Sequence, residues 1–226
     1  MYTEAAFVMF IALFFYFSAK KKYLRAGIMA ALASGTRIVG CILVFSLIIE
    51  LYMDINNGER ISIAGIKNFI KVMLRTPYKI LSVLLCPLGA FCYMTFLRFF
   101  CGDPWAYKNV QIAWRTEEHF PIVGVLLDAI SIGSDVYHKL LGWICIGAIA
   151  IFIYMLVRRL YSEAVFGGLT LAVPLTSAVM STPRFISGDY VVWIGAYDII
   201  ARQNHAARVA TCIILAGIEV VLTFMW

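Results

Sequence analysis

Leu140 to Val157 reads LLGWICIGAIAIFIYMLV, eighteen residues without a charge. Lys139 precedes the run and Arg158-Arg159 closes it. A helix needs about 20 predominantly apolar residues to cross the hydrocarbon core of a bilayer. The run does not alternate apolar with polar, so it is not the strand of roughly ten residues that builds a transmembrane barrel. Ile38 to Ile49 has the same character. Together these stretches predict membrane-crossing helices.

The whole chain agrees. It has 226 residues, 62% hydrophobic and 14% charged, with a mean hydropathy of +0.87. A soluble domain is typically about 45–50% apolar and about 25% charged. The reading is therefore all-α: a polytopic integral membrane helical bundle of about six to eight membrane helices, forming one transmembrane domain over residues 1–226. The net charge of +6 fits basic residues gathered on the cytoplasmic side and calls for no nucleic acid. The six cysteines, Cys41, Cys86, Cys92, Cys101, Cys145 and Cys212, lack C-x-x-C spacing. Most lie in apolar runs and read as small buried hydrophobes.

Working outward, Thr3 to Ala19 is a first span, followed by Lys20-Lys21-Lys22 and Arg25. Ala26 to Tyr52 is too long for one span and is interrupted at Ser34-Gly35-Thr36-Arg37 and Gly40. It predicts two short helices meeting at Arg37 and returning to their starting side. From Ile61 to Thr76, Ile66, Phe69, Ile70, Met73 and Leu74 share a face beside Lys67, Lys71 and Arg75. That is an interfacial helix on an anionic leaflet. Tyr78 to Phe100 spans, Cys101 to Phe120 is an aromatic-bearing loop, and Pro121 to Ser131 is apolar but short. Four further spans follow: Leu140 to Val157, Ala164 to Met180, Phe185 to Ile200 and Ala206 to Trp226. With the Lys20–Arg25 loop inside, Arg60, Lys67, Lys71, Arg75, Lys79, Arg158, Arg159, Arg202 and Arg208 fall inside too. This satisfies the positive-inside rule. Short loops favour a bacterial inner membrane; a eukaryotic chain would sit in the endoplasmic reticulum membrane.

Few residues can carry chemistry. Arg37 lies mid-membrane, where a charge costs at least about 2.5–3.5 kcal/mol and usually faces a cavity with a partner; the alternative is a cap between two half-helices. Gly102-Asp103-Pro104-Trp105-Ala106-Tyr107, with Gln111, Trp114 and Arg115, suits sugar stacking, or else an interfacial aromatic belt. Arg184, at an exterior mouth, can hold a phosphate bidentately or simply snorkel. Glu4 complements the dipole of the first helix. Asp189 and Glu219 lie in apolar spans. No H-E-x-x-H, G-x-S-x-G or P-loop occurs. His119, His138 and His205 are far apart and cluster with no Cys.

Three stretches in order resemble the GT-C glycosyltransferases, and most closely the GPI mannosyltransferase 2 family with its bacterial relatives. They are Tyr2-Thr3-Glu4-Ala5-Ala6-Phe7 leading to Ala31-Leu32-Ala33-Ser34-Gly35-Thr36-Arg37, then Gly102 to Tyr107 with Gln111 and Trp114-Arg115, then Ser181-x-Pro183-Arg184-Phe185. The resemblance implies a polyprenyl- or dolichyl-phosphate-linked sugar donor, used on the periplasmic or lumenal face. It implies Glu4, Arg37, Gln111, Trp114 and Arg184 as substrate-binding residues, with Asp103 as the candidate base. Inverting transfer would proceed with or without a divalent metal. The family's usual acidic loop between its first two spans has no counterpart here. The expectation is therefore a C-terminal portion, inactive alone or completed by a separate chain that supplies that loop. A non-catalytic membrane subunit or remnant is the alternative, and a small transporter ranks below both.

Overall fold

A computed structural model describes residues 3–110, 122–131, 133–176, 182–187 and 190–213. The described residues contain helices and turns and no strand. The order is α1 (Glu4–Ala19), α2 (Tyr23–Thr36), a 3₁₀ segment (Ile38–Ile42), α3 (Leu43–Ile55), α4 (Ile63–Arg75), α5 (Pro77–Leu85) and α6 (Leu88–Cys101). Then come α7 (Ala106–Asn109), α8 (Val123–Ile130), α9 (Val136–Val157), α10 (Tyr161–Leu175), α11 (Thr182–Ser187) and α12 (Tyr190–Ala201). Residues 205–213 are helical as well.

The charge-free run Leu140–Val157 lies within the 22-residue helix α9, begun by Asp135, whose carboxylate accepts from the His138 backbone N–H at 2.8 Å. Such a cap satisfies one of the amides that a helix N-terminus leaves unpaired. By length and composition, α9 and the continuous Ile38–Ile55 segment can each cross a membrane. The α5–α6 pair makes a third if counted as one span. The other apolar helices, α1 and α12 among them, are shorter than that test requires.

α2 carries a buried stripe of small residues, Ala26, Gly27, Ala30, Ala33 and Ser34. Small residues let helix backbones approach closely where lipid supplies no hydrophobic drive for association. α1 folds back along α2 through the Lys20–Lys22 turn, and α5 and α6 pack on the other flank. A Cβ on Gly89 would lie 1.9 Å from the Ala31 carbonyl oxygen. The stretch expected as one span, Tyr78 to Phe100, is instead bent by 47° between α5 and α6. Pro87 stands at the bend as the residue preceding α6. Proline has no N–H to continue the ladder, and Ser34 Oγ donates to the Cys86 carbonyl at 2.8 Å.

α10 lies between α3 and α9, and α12 packs against α9. Ser46 Oγ on α3 donates to the Ser162 carbonyl at 2.8 Å, fixing the start of α10 beside α3. One buried cluster runs through these helices, from Ile11 and Phe14 to Leu47, Cys145, Phe166 and Val191. The amphipathic helix α4 begins at Ser62, whose hydroxyl accepts from Gly65 N–H at 3.0 Å, and rests Phe69 and Met73 on the core. The cysteines divide. Cys86 and Cys145 are buried and Cys41 is half-buried, whereas Cys92, Cys101 and Cys212 are exposed on this chain. The expectation of mostly buried thiols thus holds for the first three only.

Candidate functional site

The break expected at Arg37 is present and has a local cause. Thr36 Oγ1 donates back to the Ala33 carbonyl at 2.8 Å, competing with the helix ladder. Arg37 is extended, with φ −147° and ψ 131°, and the chain resumes as a 3₁₀ turn. Gly40 follows because a Cβ there would meet the Ala33 backbone at 2.5 Å.

This turn delivers Arg37 to the start of α1. Its Nη1 lies 3.4 Å from Glu4 Oε1, with side chains 16% and 24% exposed respectively. Its guanidinium carbon stands 5.6 Å from the Phe7 ring centroid and 5.0 Å from that of Phe185. Glu4 and Phe7 are one turn apart on α1, and Phe185 comes from α11. A cation between two ring faces is stabilised by their quadrupoles. Phe7 and Phe185 were not among the expected site residues; their place within the same quoted stretches was the available signal.

Asp103 lies in the turn after α6. One carboxylate oxygen accepts from Trp105 N–H at 2.8 Å and the other from the Asn109 side-chain amide at 2.7 Å. The carboxylate thereby shapes its own loop. Tyr107 in α7 is 6.2 Å, ring to ring, from Trp105 and 6.4 Å from Tyr93. Burial, and then the neighbouring Cys41 thiol, push the Tyr107 phenol above its usual range.

Gln111 and Trp114 fall outside the described residues, as do Arg115, Asp189 and Glu219. The backbone of Arg184 lies in α11, but its side chain is outside the description. Among the described residues no three His, Cys, Asp or Glu side chains converge to hold a metal ion.

The opposite end of the bundle carries a second polar cluster. Lys21 Nζ lies 2.6 Å from Asp54 Oδ1, and Lys79 Nζ lies 3.5 Å from Asp54 Oδ2. Lys79 also stands 5.5 Å above the Tyr23 ring. One turn earlier on α3, Glu50 accepts from the Ser162 hydroxyl. Asp198 of α12 joins Arg158 at 3.6 Å and Arg202 at 2.9 Å. The basic turns after α1, α9 and α12 thus gather at one end, and Glu4, Arg37 and Phe185 at the other. The chain from Tyr23 to Ile55 does return to its starting side. The acids Glu50 and Asp54, four residues apart on α3, were not singled out from the sequence, although that spacing puts them on one helix face.

No family model matches the chain, and neither curated proteins nor solved structures show a significant match.

Proposed function

We propose that the chain is the membrane portion of a glycosyltransferase of GT-C type, mannosyltransferase-like, that uses a lipid-phosphate-linked sugar at the Glu4–Arg37 end of the bundle. The observation that carries this reading is the Arg37 cluster. Residues from the first and third quoted stretches, 181 positions apart from Glu4 to Phe185, meet around one guanidinium. A guanidinium has five N–H donors and suits phosphate oxygens. In this role Arg37 and Arg184 stabilise the departing lipid phosphate, and Trp105 and Tyr107 offer ring faces to the sugar. Gln111 and Trp114 contribute hydrogen bonding and stacking, and Asp103 or a carboxylate from a further segment takes the acceptor proton. The basic end faces the cytoplasm and the Arg37 end the periplasm or lumen. The shorter helices join the long ones in a bundle of six to eight membrane segments in the inner membrane or, in a eukaryote, the endoplasmic reticulum.

One observation favours the second reading, a non-catalytic subunit or remnant. Both Asp103 oxygens are engaged within their own turn, and Glu4 faces Arg37 as a structural ion pair would. The test supplies tritiated polyprenyl-phosphate mannose to membranes that overproduce the chain, alone and together with a separate chain carrying the acidic loop of the resembled family. Label transfer that falls about a hundredfold in Arg37→Ala is expected, the scale for losing one charge-stabilising group. No transfer above vector membranes in either setting sinks the enzymatic reading.

A further inference from the structure

A groove of about 890 Å³ opens at the basic end, between α3, α4, the end of α9 and the start of α10. Its walls are apolar: Ile48 and Ile49 from α3, Phe69 from α4, Val157 from α9 and Val165 from α10. Its rim is polar, with Arg60, Arg159 and Tyr161 beside Glu59. Tyr52 fixes one side of the mouth, donating from its hydroxyl to the Arg60 carbonyl at 3.4 Å and accepting from Ser62 N–H at 3.2 Å.

Three features define the occupant. First, α4 exposes Lys67, Lys71 and Arg75 on its polar face, the arrangement that draws anionic headgroups to an interfacial helix. The groove lies under the other face of that helix, lined there by Ile66 and Phe69. Second, neither Arg60 nor Arg159 makes a salt bridge or side-chain hydrogen bond among the described residues. Third, Glu59 reduces the rim to one net positive charge, which complements a monoanionic phosphodiester. The apolar walls favour a hydrocarbon chain over a free soluble anion, and the two guanidiniums favour an anionic headgroup over a net-neutral one.

We infer that this groove holds one acyl chain of an anionic glycerophospholipid, with its phosphodiester at the Arg60–Arg159 rim. The site is separate from the Glu4–Arg37 end and stands whether or not the chain transfers sugar. The lipid ties α4 to the α9–α10 turn and so acts as a structural ligand of the cytoplasmic-side end.

Native mass spectrometry of the purified full chain in mild non-ionic detergent tests this, with phosphatidylglycerol, phosphatidylcholine and inorganic phosphate as separate probes. One phosphatidylglycerol should be retained per chain, about tenfold more readily than phosphatidylcholine, the scale of charge-assisted hydrogen bonds. The double variant Arg60→Gln, Arg159→Gln should lose that preference. Val165→Trp, which fills the wall and leaves the rim, should reduce retention of both lipids. Equal retention of the two lipids by wild type overturns the proposal. So does unchanged retention in both variants, displacement of phosphatidylglycerol by inorganic phosphate, or a second copy of the chain bound in place of lipid.

Discussion

The Arg37 guanidinium sits 3.4 Å from Glu4 Oε1, closing the first residue of α1 onto the break after α2. Removing either partner leaves a charge in a largely buried place. Arg37→Ala and Glu4→Gln should each destabilise the chain by about 1–3 kcal/mol. The reversed pair, Glu4→Arg with Arg37→Glu, should recover part of the loss. Thermal unfolding in detergent reads this directly, and a double variant worse than the sum of the single ones would refute the pairing.

Gly89→Ala should be far more damaging than Gly147→Ala. The first Cβ meets the Ala31 carbonyl oxygen at 1.9 Å, whereas nothing lies within 4 Å of the second. Backbone cannot rotate away as a side chain can, so overpacking of about 1–3 kcal/mol is expected at Gly89. Unfolding midpoints that fall equally would show that α2 and α6 are not so closely crossed.

At the other end, the two lysines around Asp54 should behave differently. The Lys79 side chain is 10% exposed and that of Lys21 71% exposed. Lys79→Met should alter stability measurably, while Lys21→Ala should change it by no more than about 1 kcal/mol, as surface ion pairs do. A larger loss at Lys21 than at Lys79 would contradict the burial of the α5 start.

Asp135 gives a pH dependence. Its carboxyl is held below the usual carboxylate range, first by the His138 backbone N–H and then by the His138 side chain. A depressed folded value means that the cap's stabilisation is complete above the unfolded value, about 3.9, and is lost as pH falls through the lower folded one. Wild type should therefore unfold at a higher temperature than Asp135→Ala near neutrality, and the two should converge in strong acid. A gap that persists unchanged to the lowest pH would exclude the ionised cap.

Orientation is open to a labelling experiment. Cys101, at the end of α6, is exposed. In a background where Cys92 and Cys212 are serine, an impermeant maleimide added to intact cells should modify Cys101. It should spare Lys22→Cys, at the opposite end, until the cells are opened. The reverse pattern would invert the assignment of inside and outside.

Much of this architecture was legible from residue order. The charge-free run before Arg158 is α9, and Ser34-Gly35-Thr36-Arg37 marks a real break because hydroxyls that bond backward end a helix. The amphipathic stripe around Phe69 became α4 with its N-cap at Ser62. The Glu4–Arg37 contact was not legible, since pairing across 33 positions depends on how α1 and α2 lie together. The bend at Pro87 was hidden for a related reason: its neighbours are apolar on both sides, and hydropathy does not register a missing N–H. Asp103 was legible as a polar loop residue, but its hydrogen bonds to Trp105 and Asn109 belong to turn geometry.

α1 contains 16 residues and α10 contains 15, so each rises only about 22–24 Å at 1.5 Å per residue. The hydrocarbon core of a bilayer is about 30 Å thick. If they span as proposed, lipid beside them would have to compress to meet them, at a cost of fractions of a kcal/mol per ångström of hydrophobic mismatch. On the proposed reading of α1 and α10 as membrane segments, their shortness would act as a sorting signal, favouring thinner membranes and neighbours that share the same local dimple.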